Sequence, residues 1–402
     1  MTPTALAAPT TAPARITSLD VLRGVAILGT FASNVWLFAH PGGPTAWFAG
    51  GGPAPDVAET ALRTLANGKF LALLTLLFGI GIELQYRSAV RRAARWPGRY
   101  PVRAAILLVE GLLHYVLVFE FDVLMGYAVA SLLVAHLVGR SDRVVHAWMA
   151  VVGGVYLLGI AAVTALLLVL PDGPDMPEQA AASTASWWAQ VLVRLESAGF
   201  YRVELVLIVP SATVLFLLGS RLVRAGALAD TPAGARVRRR LVVLGLGVGA
   251  PLNALTAIAG PAWVLVDRYV LPPLIALGLL GLVTGLVLRS RGGAPRRAVA
   301  AVGRTALSCY VLQNVLASAL CYDWGLGLAT RFAGARPWWV VGLWAAVSLA
   351  LVLLATAWLR RFERGPLELV VQRVYARPSR PAAEATDRRR LRRTARSTPS
   401  RR

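Results

Sequence analysis

Apolar runs long enough to cross a lipid bilayer recur along most of this chain, and they constrain its fold more than any other feature. Hydrophobic residues make up 56% of its 402 residues. The candidate runs lie at about 20–39, 68–86, 103–119, 122–139, 147–170, 203–222, 241–259, 264–288, 303–322 and 338–359. The third and fourth runs are short and are separated only by the region of Glu120 and Phe121, which predicts a tight helical hairpin. The sequence therefore predicts an all-α, polytopic membrane protein with about ten transmembrane helices.

The basic charge of the chain predicts how these helices are oriented. The formal net charge is +22, and arginine supplies almost all of it because Lys69 is the only lysine. The arginines lie between apolar runs rather than on one soluble face, which argues against nucleic acid as a partner. Nineteen of them fall in the even-numbered loops, whereas seven lysine and arginine residues fall in the odd-numbered loops. Because cationic loops stay in the cytoplasm, both termini are predicted to be cytoplasmic.

Composition divides the chain into five segments. They are a disordered cytoplasmic lead at 1–17, an N-terminal transmembrane half at 18–170, an external interfacial segment at 171–202, a C-terminal transmembrane half at 203–376 and a disordered, arginine-rich cytoplasmic tail at 377–402. The lead lacks an apolar core of signal-peptide length, so it is not expected to be cleaved. The external segments at 40–67 and 171–202 are either interfacial lids or plain connectors, and their lengths favour lids. An amphipathic helix is predicted at 363–376.

The first apolar run carries polar residues that need a physical reason. Asp20 and Arg23 lie three residues apart, and Asn34 follows on the same helix. A charge at the centre of a membrane helix costs roughly 2.5 to 3.5 kcal/mol on insertion scales unless it finds a partner. Asp20 and Arg23 are therefore expected to pair at the mouth of a polar site. The alternative is that Ser18 or Asp20 caps the helix while Arg23 extends to the membrane interface.

A group of ionisable residues lies in and after the third run. Glu110 and His114 are one helical turn apart, and Glu120 and Asp122 follow. A carboxylate beside an imidazole fixes its tautomer and raises its basicity, as a general base requires. The alternative is a structural histidine bonded to a neighbouring helix. His40, at the outer end of the first run, is a rival base.

Two further runs carry polar groups. The stretch GKFLALLTLLFGIGIE begins with Lys69 and contains Gly79 and Gly81, which are expected to permit close helix contact. The stretch GRTALSCYVLQNVL places Gln313 and Asn314 near the middle of the membrane, where an amide joins helices or lines a cavity. The two cysteines, Cys309 and Cys321, share one predicted helix, so neither a disulfide nor a cysteine metal site is expected.

Several of these stretches, in this order, resemble one family. They are similar to the YeiB family of bacterial integral membrane proteins. The stretches are SLDVLRGVAILG with the later Asn34, KFLALLTLLFG, GLLH followed by FDVLMGYA, GRTALSCYVLQ and ERGPLE. That family looks like a branch of the transmembrane acyltransferase superfamily, which includes heparan-α-glucosaminide N-acetyltransferase. The resemblance implies a multi-pass protein of the bacterial cytoplasmic membrane that moves an acyl group from cytoplasmic acetyl-CoA or another acyl-CoA to an outer acceptor. The acceptor would be a glycan, a lipid or a small molecule, and a homodimer stays open.

The resemblance also suggests roles for particular residues. Asp20, Arg23 and Gly24 fall on the opening motif of the superfamily, and with Asn34 they are expected at the acyl-CoA site. His114 and Asp122, with Glu110 or His40, are the expected catalytic residues. The expected substrate-binding residues are Lys69, Tyr127, Tyr310, Gln313 and Asn314.

This chain departs from the pattern at three places. Asn34 stands where the O-acetyltransferase branch has histidine, Phe121 precedes the aspartate where the family usually has glycine, and Cys309 replaces a frequent asparagine. No metal is expected. A second hypothesis makes the same buried groups a proton relay or solute site of a secondary transporter.

Overall fold

Helices account for almost all of the regular structure. The computed structural model describes residues 16–48, 55–170 and 184–376, and these contain no β-strand. The α-helices are α1 (Thr17–Phe38), α2 (Gly43–Phe48), α3 (Val57–Ala66), α4 (Lys69–Arg91), α5 (Tyr100–Leu117), α6 (Leu124–Leu137), α7 (Asp142–Val169), α8 (Trp187–Glu196), α9 (Ala198–Arg202), α10 (Leu205–Arg224), α11 (Pro232–Val242), α12 (Ala250–Ile258), α13 (Leu271–Arg289), α14 (Ala294–Arg304), α15 (Ala306–Cys321), α16 (Leu328–Arg331), α17 (Trp338–Trp358) and α18 (Pro366–Ala376). Most of the predicted lead, much of the external segment at 171–202 and the whole tail at 377–402 lie outside the described residues.

The helices agree with the predicted all-α, multi-pass architecture. Among the described residues, eight helical stretches are long and apolar enough to cross a membrane. Two more apolar helices, α6 and α15, contain 14 and 16 residues. At 1.5 Å per residue they are about 21 and 24 Å long, which is less than the roughly 30 Å of a hydrocarbon core. These two short helices carry Tyr127, Tyr310, Gln313 and Asn314.

The ninth predicted run, 303–322, is not one helix. Helix α14 ends at Arg304, and α15 begins at Ala306 after Thr305 leaves helical geometry. The carboxylate of Glu368 on α18 accepts hydrogen bonds from the backbone N–H of Leu307 (2.8 Å) and the hydroxyl of Ser308 (2.5 Å). An acceptor at exposed N–H groups stabilises a helix start, so the predicted amphipathic helix at 363–376 caps α15.

Helix α1 packs closely against α14 through two glycines. A Cβ atom on Gly24 would lie 2.0 Å from the carbonyl oxygen of Val299, and one on Gly303 would lie 1.7 Å from that of Asp20. No side chain fits at such distances. Gly24, which the resemblance places at the acyl-CoA site, therefore has a helix-contact role.

Replacing Gly303 with valine is expected to destabilise the protein by about 3 kcal/mol or more, because α1 and α14 must separate. Gly285→Val is the matched control, since a Cβ atom at Gly285 meets nothing within 4 Å. The measurement is the fraction of monodisperse protein on size exclusion in detergent, together with the thermal midpoint. Equal behaviour of the two variants would contradict the close-contact role.

Helices α4 and α10 make a similar close contact. A Cβ atom on Gly79 would lie 2.2 Å from the carbonyl oxygen of Phe216, and one on Gly219 would lie 2.3 Å from that of Leu76. The expectation for Gly79 is thus confirmed. Gly81 differs, because a Cβ atom there meets nothing within 4 Å.

The odd-numbered loops hold seven lysine and arginine residues and the even-numbered loops hold nineteen arginines, so the two ends of the helix bundle differ in arginine content. We call the end formed by the odd-numbered loops the arginine-poor end and the opposite end the arginine-rich end. Single cysteines at Ala229, on the arginine-rich end, and at Arg331, on the arginine-poor end, are both at exposed positions. We expect an impermeant maleimide to label Arg331→Cys from outside the cell and Ala229→Cys only after the membrane is opened. The native cysteines are buried and give a low background. Labelling of both sites from one side would contradict the predicted orientation.

Candidate functional site

A buried histidine–aspartate pair forms the centre of the candidate site. The Nδ1–H of His114 donates to Oδ1 of Asp122 at 2.9 Å, and the two side chains are 2% and 0% exposed. Asn314 Nδ2 lies 3.1 Å from Nε2 on the other side of the ring. The Tyr310 ring packs against the imidazole, with centroids 5.2 Å apart, and its hydroxyl is 3.5 Å from Asp122 Oδ1. A carboxylate on Nδ1 and a donor on Nε2 select the neutral tautomer that keeps a lone pair on Nε2.

Local sequence explains how Asp122 reaches the imidazole. Helix α5 ends at Leu117 and α6 begins at Leu124, so Asp122 lies in the predicted hairpin turn. Its Oδ2 accepts the backbone N–H of Leu124 at 2.9 Å, which caps α6. Gly111 provides the space, since a Cβ atom there would be 2.9 Å from Oδ2.

The two alternative catalytic residues lie in other surroundings. Glu110 is half-buried, and within the described residues it makes no hydrogen bond or ion pair with His114. Asp122, rather than the carboxylate one turn away, therefore orients the ring, because the hairpin turn brings it to Nδ1. His40 accepts the N–H of Gly42 on Nδ1 at 3.2 Å, and its ring meets Trp47 edge-on at 6.0 Å.

Beside this pair lies a partly open cavity of about 80 Å³, which we call the polar cavity because several polar side chains interrupt its largely apolar wall. It is lined by the predicted residues Asn34, Tyr127 and Tyr310. The hydroxyls of Thr75 and Tyr127 are hydrogen-bonded to each other. Thr30 also lines the cavity, and its buried hydroxyl has no partner among the described residues. A cavity of this size with polar side chains in its wall has room for a few water molecules or a small polar group.

Charged residues that the sequence did not single out lie at the arginine-poor mouth of the cavity. Glu204 Oε1 accepts the hydroxyl of Tyr269 at 2.6 Å and lies 3.5 Å from the guanidinium of Arg268. Arg268 was counted only as a loop charge. Lys69 lies close by and donates to the backbone oxygens of Thr64 and Asn67. The signal in the sequence was the run Asp-Arg-Tyr at 267–269, which interrupts apolar residues.

Two arginines, one on α8 and one on α9, hold the turn that carries Asp122. Arg194 forms an ion pair with Glu120 at 3.1 Å, and both side chains are 1% exposed. It also donates to the backbone oxygens of Val116 and Val118 at 3.2 Å each. Arg202 donates to the backbone oxygens of Glu120 and Asp122. Helices α8 and α9 thus contact the hairpin, and the lid interpretation of 171–202 stays a prediction.

The residues expected at the acyl-CoA site are divided between two places. Arg23 lies 3.7 Å from Asp20, so the predicted pairing of these residues is confirmed. Asn34 lines the polar cavity, fourteen residues or about 21 Å further along α1. The structure therefore does not bring Asn34 together with Asp20 and Arg23.

Gln313 differs from its neighbours on α15. Asn314 faces His114, whereas both polar atoms of the buried Gln313 side chain lack a hydrogen-bond partner among the described residues. A buried amide without a hydrogen-bond partner is costly, which sets Gln313 apart from Asn314. The described residues contain no cluster of three or more metal-ligating side chains, and the absence of a metal stays a prediction.

Comparison with known proteins agrees with the resemblance seen in the sequence. Residues 222–377 match the family described as protein of unknown function (DUF418). The chain is 28% identical over 397 residues to the uncharacterised protein YeiB of Escherichia coli (strain K12), which covers 93% of this chain and 100% of that protein. The chain is thus similar to YeiB along nearly its whole length. It is also 23% identical over 398 residues to the uncharacterised protein YxaH of Bacillus subtilis (strain 168), covering 90% of this chain and 94% of that protein. No solved structure matches it.

Proposed function

We propose that this protein transfers an acyl group from cytoplasmic acyl-CoA to a hydroxyl or amine at the arginine-poor end, in the bacterial cytoplasmic membrane. The observation that supports this function is the 2.9 Å contact between His114 Nδ1 and Asp122 at a polar cavity lined by Tyr310. A buried histidine oriented by a carboxylate is the arrangement of a general base.

In the proposed reaction His114 moves one proton. Asp122 holds the Nδ1–H, so Nε2 keeps its lone pair for an acceptor. The amide of Asn314, which now donates to Nε2, gives up that position to the acceptor hydroxyl or amine. Nε2 takes the acceptor's proton as the new bond to the acyl carbon forms, and returns it to the sulfur that leaves. An acyl thioester supplies the activated carbonyl and the leaving group.

The residues of the acyl-CoA prediction fit the donor in part. Arg23 is 34% exposed at the arginine-rich end, so its guanidinium can meet a phosphate there. Gly24 faces Val299 and Asn34 faces the cavity, so neither belongs to a phosphate site with Arg23.

Proteoliposomes loaded with acetyl-CoA test the proposed function. With a panel of polyols, amino sugars and lipids outside, the wild type is expected to release free thiol inside and to acylate an outer acceptor. Uptake of a solute that depends on His114, without thiol release for any acceptor, would instead favour the transporter hypothesis.

The phosphate role of Arg23 has its own test. Arg23→Gln should weaken CoA binding by roughly tenfold, because a charge-assisted hydrogen bond contributes about 1.5 kcal/mol or more. Arg331→Gln is the matched control, since Arg331 is exposed at the opposite end. The measurement is the dissociation constant of CoA by calorimetry in detergent. Equal effects of the two substitutions would remove Arg23 from the donor site.

A further inference from the structure

An apolar groove lies on the lipid-facing side of α5, α6 and α10. Its volume is about 280 Å³, and it is separate from the polar cavity. The walls come from Leu108 and Leu112 on α5, Val129 on α6, and Leu205 and Val209 on α10. From Leu108 to Tyr115 the groove extends about 10 Å along α5, parallel to the helix axis. Its apolar walls and its direction fit part of a lipid acyl chain rather than a polar solute.

A single cation lies at the arginine-poor end of this groove, among its lining residues. Arg202 lines the groove and stacks its guanidinium over the ring of Tyr115 at 4.0 Å. Two of its nitrogens donate to the backbone oxygens of Glu120 and Asp122. The third, Nε, is buried and has no acceptor among the described residues. A buried N–H without an acceptor is costly, and an oxygen acceptor beside it would relieve that cost.

The depth of Arg202 identifies the kind of acceptor. It is the last residue of α9, at the arginine-poor end of the bundle, where membrane arginines reach the headgroup region. A phosphate oxygen there would meet a charged donor while the attached chain filled the apolar walls below it. Neither an uncharged hydrocarbon chain nor a soluble anion satisfies both parts of the site.

We propose that the groove binds one glycerophospholipid, with an acyl chain against α5, α6 and α10 and its phosphodiester on Arg202. Arg202 also donates hydrogen bonds to the backbone oxygens of Glu120 and Asp122. The lipid would therefore contact a residue that holds the hairpin turn of the candidate site in place. The proposal does not depend on the acyl-transfer function.

Lipid binding to the delipidated, full-length protein tests this site by native mass spectrometry. Phosphatidylglycerol is expected to bind with one tightly held molecule per chain, whereas diacylglycerol with the same chains should bind at least tenfold more weakly. Val129→Trp, at a 53% exposed position in the groove, should lower phosphatidylglycerol affinity by tenfold or more. Val151→Trp, at a 65% exposed position on α7, is the matched control and should bind as the wild type does.

Leu112→Trp provides a second blocked groove if Val129→Trp does not yield folded protein. The proposal is overturned if diacylglycerol binds as tightly as phosphatidylglycerol, because the phosphate would then have no role. It is also overturned if the groove variants retain the lipid, if the α7 control loses it to the same extent, or if the wild type binds none.

Discussion

Replacing His114 with alanine is expected to lower acyl transfer by about 10²- to 10⁴-fold, the usual contribution of a general base. CoA affinity should stay within about twofold of the wild type, because Arg23 lies at the opposite end of the bundle. The measurement is thiol release from proteoliposomes, with CoA binding measured separately. His136→Ala is the matched control, since His136 is exposed and its Nδ1 contacts the backbone oxygen of Leu132.

Asp122→Asn refines the same prediction. The amide keeps the shape of the carboxylate but favours the wrong tautomer of His114, so a smaller loss of rate is expected than for His114→Ala. A wild-type rate for a folded His114→Ala protein would show that the base is elsewhere and would make His40 the next candidate. Equal losses for His114→Ala and His136→Ala would show that the assay reports folding rather than chemistry.

Removing Arg194 is expected to have the largest effect on stability. Arg194→Met leaves the carboxylate of Glu120 buried without its cation, and breaking such a pair costs about 3 to 5 kcal/mol. The same change frees the backbone oxygens of Val116 and Val118 from their donor. The measurement is the free energy of unfolding by detergent titration, or the thermal midpoint.

The double variant Arg194→Met with Glu120→Gln distinguishes two causes of the lost stability. One is the unpaired carboxylate of Glu120, and the other is the loss of the hydrogen bonds from Arg194 to the backbone. It should recover more than half of the stability lost by Arg194→Met, because an amide is far cheaper to bury than an unpaired carboxylate. Arg331→Met, at an exposed site, should change stability by less than about 0.5 kcal/mol. No recovery in the double variant would mean that the backbone contacts of Arg194, rather than its ion pair, stabilise the turn.

The sequence by itself determined the helical class, the repeated membrane spans and the tight hairpin after His114. Backbone N–H and C=O groups without hydrogen bonds are costly in lipid, so long apolar runs that cross a membrane form helices. Contacts between residues that are close in the sequence could also be predicted from the sequence. Asp20 pairs with Arg23 three residues on, and Asp122 meets His114 across eight residues.

Only the tertiary structure decided which distant residues complete the site. Asn314 is 200 residues from His114, and Arg194 is 74 residues from Glu120. Helical periodicity predicts the face on which a residue lies, but it does not predict which other helix meets that face. The same limit applies to Glu110. It lies one turn from His114 on the same helix, but the carboxylate that contacts the imidazole is that of Asp122 in the hairpin turn. It applies also to the break at Thr305, because Glu368, from a helix more than sixty residues later, caps the start of α15.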